Sequence, residues 1–95
     1  MSDTDYRATI VEVFPMRLGG EVLTDVTLEP VESRDFPDPR PNDLLVLPGG
    51  EEIQIWAAPK ISHPKGAVRF NVQFQAADTQ GVTLEEGMTV TLQPK

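Results

Sequence analysis

Alternation with a period of two constrains this chain more than any other feature. From Ala67 to Gln75, Val68, Phe70, Val72 and Phe74 fall on one side, and Arg69, Asn71, Gln73 and Gln75 on the other. Successive side chains of a strand point to opposite faces, so this run predicts a strand with one buried and one wet face. Gly87 to Gln93 repeats the pattern, with Met88, Val90 and Leu92 against Thr89, Thr91 and Gln93. Glu21 to Glu29 sets Val22, Thr24, Val26 and Leu28 against Leu23, Asp25, Thr27 and Glu29.

Three further strands are expected. Arg7 to Phe14 is apolar on both sides, with Val11 and Val13 on one face and Ile10, Glu12 and Phe14 on the other. Such a strand is either central or passes through a bend. Leu44 to Leu47 is a short apolar run, and Glu52 to Ala57 alternates Ile53, Ile55 and Ala57 against Glu52, Gln54 and Trp56. Pro48-Gly49-Gly50 between them reads as a hairpin turn, and Gly19-Gly20 does the same between the first two strands. Glycine supplies the positive φ angles that tight hairpins need.

The expected fold is all-β: a six-stranded antiparallel barrel or sandwich with at most one helical turn, placed at Thr83–Glu86. Nine prolines in 95 residues oppose long helices. The whole chain, 1–95, reads as one domain with one core, its first five residues flexible. Two connections are longer than a hairpin requires. Residues 30–42 hold Pro30, Pro37, Pro39 and Pro41, the last three alternating so as to keep Phe36–Pro41 extended, and residues 58–66 hold Pro59 and Pro64.

Composition narrows the function classes. There is no cysteine, which removes disulfides, thiolate metal sites and cysteine nucleophiles. Together with a polar, acidic start unlike a signal peptide and no apolar run of about 20 residues, this predicts a cytoplasmic, non-membrane protein. Fifteen acidic against eight basic residues give a formal charge of −7, which repels polyanions and makes general nucleic-acid binding unexpected.

No cluster spells out a reaction. His63 is the single histidine and reads as a solvated loop residue rather than a ligand. Asp35, Asp38 and Asp43 lack calcium-loop spacing, and the doubled glycines precede no helix. Glu51/Glu52 and Glu85/Glu86 are sequence neighbours, which a strand sends to opposite faces. No catalytic residue, cofactor or metal site is therefore expected.

Three features suggest contacts instead. Trp56 falls opposite Ile53 and Ile55, so it faces water unless a second sheet covers it, and exposed tryptophan is a frequent binding anchor. Phe36, with Arg40 nearby in the proline-rich connection, either latches that connection down or is offered to a partner. Lys60, His63, Lys65 and Arg69 gather positive charge on an acidic domain, as an orienting patch or simply as a solvated loop. The expected role is a non-catalytic protein-binding, adaptor or assembly module whose partner is another protein or a larger assembly. The alternatives are a small-ligand or carbohydrate binder stacking on Trp56, and a single-stranded nucleic-acid module using the basic loop.

Overall fold

A computed structural model describes residues 6–31, 36–62 and 68–94, with only the backbone described at residues 18 and 59–62. Seven strands follow in order: β1 (Tyr6–Leu18), β2 (Glu21–Pro30), β3 (Leu44–Val46), β4 (Glu52–Gln54), β5 (Ala57–Ser62), β6 (Arg69–Gln75) and β7 (Thr89–Gln93). They form one antiparallel sheet in the order β4-β3-β7-β1-β2-β6-β5. The all-β expectation holds. The count does not: β5 lies where a loop was expected over residues 58–66, paired with β6 despite Pro59. A bulge between Ala57 and Lys60 absorbs the irregularity. Nor does the ladder order describe two packed sheets or a closed ring, because β4 and β5 each have one strand neighbour.

The sheet is nevertheless strongly rolled. Its two edge strands are separated in sequence by Ile55 and Trp56 alone. Three Cα–Cα steps of 3.8 Å therefore hold Gln54 and Ala57 within about 11 Å of each other. The backbone shows the transfer. Ile55 N donates to Asp43 O (2.9 Å) and Asn42 N to Ile55 O (2.8 Å) on the β3 side, while Trp56 N donates to Gln73 O (2.8 Å) on the β6 side. Rolling gives the concave face one continuous core, in which Ile10, Val26, Leu45, Ile55, Phe74 and Leu92 are all fully or almost fully buried.

A bulge in β1 between Ile10 and Glu12 explains its two apolar faces. Ile10 pairs with Leu28 and, one extra residue later, Val13 pairs with Val26, so Ile10 and Val13 both lie on the core face. That corrects the strict alternation, which put Val11 with Val13 and Ile10 with Phe14.

The two ends of the rolled sheet are built differently. Residues 36–43 cross one end, which we call the lid end. Phe36 stacks on Phe70 with ring centroids 5.4 Å apart and meets Tyr6 edge-on at 6.0 Å. Pro39 and Asp43 are buried there. The other end, the hairpin end, carries the β1–β2 turn, the β3–β4 turn and the connection from β6 to β7. The helical turn lies in that last connection, at Ala76–Thr79 rather than Thr83–Glu86. Leu84, from the expected turn, and Val82 just before it instead pack against the core in irregular backbone. Gly19 and Gly20, at φ 58° and 89°, make the β1–β2 turn and would strain any side chain placed there.

Candidate interaction surface

The convex face of β1, β2, β6 and β5 carries the molecule's distinctive surface. Register places Phe14, Asp25, Gln73 and Ala57 in one row across these four strands. Asp25 and Gln73 point away from the core, since Val26, Val72 and Phe74 occupy the opposite face. Both are nonetheless buried, at 4% and 7% exposure. This corrects the expectation that the outer face of β6 is wet throughout. Desolvation is offset by hydrogen bonds. Asn71 Nδ2 and Gln73 Nε2 (3.4 Å) donate to the two Asp25 oxygens, and the Gln73 amide also lies 3.1 Å from Met16 Sδ. Leu23, one row further along, is completely buried on this same outer face.

Apolar groups stand in water at both sides of this fixed centre. Phe14 is 44% exposed and Trp56 38% exposed, whereas Val22, 46% exposed beside the β1–β2 turn, alternates with Leu23 and lies on the other face. Single exposed apolar residues need no explanation, but here they border hydrogen-bonded side chains that are already desolvated. Sequence reasoning found Trp56 and missed Phe14. The bulge that turns Phe14 outward leaves no local signal other than the apolar character of both faces.

The remaining candidates are distributed unevenly. Phe36 is the latch of the lid end, half-buried between Tyr6 and Phe70. Arg40 is exposed there, and its backbone N donates to Asp43 Oδ2 at 3.0 Å. Arg69 bridges to Glu29 at 3.3 Å across the β2–β6 ladder, so part of its charge is matched locally. Lys60 sits opposite Asn71 in the register, while His63 and Lys65 lie outside the described residues. Arg69 is thus placed toward the lid end, whereas Lys60 belongs to the row next to the one that holds Phe14, Asp25 and Gln73.

Among the described residues no group of three or more histidine, cysteine or carboxylate side chains is arranged to hold a metal ion. No helix among them is long and apolar enough to cross a membrane. A shallow depression of about 190 Å³ on the outside of β3, β4 and β7 is lined by Asn42, Leu44, Gln54, Gln93 and Pro94. That is smaller than the roughly 300 Å³ at which ligand pockets usually begin. No protein-family model, no curated protein and no solved structure matches this chain.

Proposed function

We propose that this protein is a non-catalytic binding module, an adaptor or assembly component, that engages another protein through the convex face running from Phe14 to Trp56. The observation that carries the reading is the row itself. Half-exposed Phe14 stands at one side of buried Asp25 and Gln73, which are hydrogen-bonded with half-buried Asn71 before any partner arrives, and half-exposed Trp56 adjoins the other side, its backbone N–H donating to Gln73 O. Binding to such a face desolvates little new charge and orders few side chains, which are the main costs of association. Aromatic anchors around a rigid centre are also where binding energy concentrates. A protein partner is favoured over a nucleic acid because the formal charge of −7 opposes any polyanion. The same reading places the protein in the cytoplasm.

The scaffold for this role is a rolled sheet acting as a small six-stranded barrel, with residues 52–62 serving as one bent strand. In support, every pairing is antiparallel, so β4 and β5 run in the same direction, and Ile55 and Trp56 bond to opposite edges of the sheet.

The test is affinity capture from the native host with the wild-type chain and a Phe14→Ala/Trp56→Ala chain. The reading expects discrete partners retained by the first and lost by the second, at equal unfolding midpoints. Retention of the same partners by both chains removes it.

A further inference from the structure

The outer face of β3, β4 and β7 carries a second feature, independent of the contact surface on the other half of the sheet. Register sets Gln54, Leu44 and Gln93 side by side, one from each strand. The next row, Ile53, Leu45 and Leu92, is buried in the core, so alternation turns the first row outward. These three side chains, with Asn42 and Pro94, line the depression of about 190 Å³. Leu44 is half-buried at the middle of the row, and the three carboxamides are exposed around it. Charged residues make up 24% of the chain, yet among the described residues none lines the depression.

Two of the carboxamides are fixed before any ligand arrives. Asn42 has φ 77°, the one positive φ outside glycine among the described residues. Asparagine enters this left-handed region more readily than most side chains do. Its backbone N–H donates to Ile55 O at 2.8 Å, which ties the segment before β3 to the residue after β4. Gln54 Nε2 donates to Asn42 Oδ1 at 2.6 Å. Each side-chain amide has a carbonyl oxygen and an NH2 group. The bonded pair therefore presents the Asn42 NH2 as a donor beside the Gln54 carbonyl oxygen as an acceptor.

We propose that this depression binds one ring of a neutral, polyhydroxylated molecule, the chemical class of a monosaccharide. A hydroxyl both donates and accepts, so neighbouring hydroxyls match the donor and acceptor that Asn42 and Gln54 hold side by side. Strands lie about 4.8 Å apart, which puts Gln93 roughly 9–10 Å from Gln54 across Leu44. One hydroxylated ring fills that span with hydrogen bonds at both edges, its C–H face on Leu44 and Pro94. A volume of about 190 Å³ is the share of roughly six waters at ~30 Å³ each, too little for a drug-sized ligand but enough for such a ring. With no lining charge, neither an anion nor a cation finds a partner, and the formal charge of −7 opposes anions further. Trp56 is not among the lining side chains, so the site is distinct from a stacking platform on that ring.

The probes are methyl glucoside, methyl galactoside and methyl mannoside, titrated into the isotope-labelled full chain and followed by amide correlation spectra. Gluconate, a polyol of similar size with a carboxylate, and acetamide, an amide without hydroxyls, are the controls. A neutral molecule of this size is expected to bind with a dissociation constant on the order of 1–10 mM. At least one glycoside is expected to give saturable shifts at residues 42–46, 52–55 and 91–94. The side-chain NH2 signals of Asn42, Gln54 and Gln93 are expected to move with the same midpoint, a readout that needs no variant. Asn42→Gly leaves the left-handed backbone accessible while removing the amide. Combined with Gln54→Ala, it is expected to weaken binding by about tenfold or more, since two hydrogen-bonding groups are lost. Phe14→Ala is expected to bind the glycoside as the wild-type chain does. Absence of saturable shifts with all three glycosides, equal shifts with gluconate, shifts centred elsewhere, or undiminished binding by the Asn42→Gly/Gln54→Ala chain each overturn the proposal. Acetamide saturating these signals while the glycosides leave them unmoved overturns it too, and assigns the depression to a peptide amide.

Discussion

Phe36 and Phe14 are the same residue type at opposite ends of one sheet, and their surroundings differ completely. At the lid end Phe36 lies between Tyr6 and Phe70, Pro39 is buried, and Arg69 is matched by Glu29. Further along the sheet Phe14 stands in water beside the buried carboxylate of Asp25, and Val22 is exposed on the opposite face of the same hairpin. The lid end therefore uses its aromatics to stabilise the fold, and the hairpin end leaves its own free for contact. Residue type alone does not separate the two uses; burial and neighbours do.

The sharpest contrast pits the core against the exposed ring. Phe74→Ala, at a fully buried site, is expected to lower stability by about 3–5 kcal/mol in denaturant titrations. Phe14→Ala is expected to change it by no more than about 0.5 kcal/mol. Comparable losses from both would mean that Phe14 is packed and the two ends are alike.

Phe36→Ala comes next, at about 2 kcal/mol, because two aromatic contacts and partial burial are lost together. The same change is expected to leave host capture intact, which separates the latch from the contact surface. Asp25→Ala is expected to cost about 1–3 kcal/mol, since the Asn71 and Gln73 amides lose a common acceptor in a buried position. Asp25→Asn keeps one acceptor oxygen and is expected to fall between the two. The smallest effect is Arg69→Ala, under about 1 kcal/mol, because its bridge to Glu29 joins two groups that are more than a third exposed.

Much of this architecture was legible in the alternation. Val26, Val72, Phe74, Val90 and Leu92 were assigned inward from spacing alone, and all are buried in the core. The misses have physical causes. β5 was hidden because Pro59 and Lys60 look like a loop, and a bulge lets the ladder continue past them. Phe14 was assigned to a shared face because a one-residue bulge resets the phase of β1 after Ile10. Gln73 was expected to be wet because its neighbours in sequence are polar, whereas its burial comes from Asp25 and Met16, 48 and 57 residues away. Trp56 was visible as an outlier on a polar face, and its partial exposure agrees with that reading.

The central claim is that contact with a partner is made through the convex face that carries Phe14 and not at the lid end. Val31 provides the matched control, since it is 49% exposed and follows β2 at the lid end, where its N–H donates to Arg7 O. A photo-crosslinking amino acid placed at position 14 in one chain and at position 31 in another, irradiated in the native host, compares two exposed apolar sites of the same fold. Discrete crosslinked species from position 14, with none from position 31, are the predicted result. Crosslinks from position 31 with none from position 14 would contradict the account.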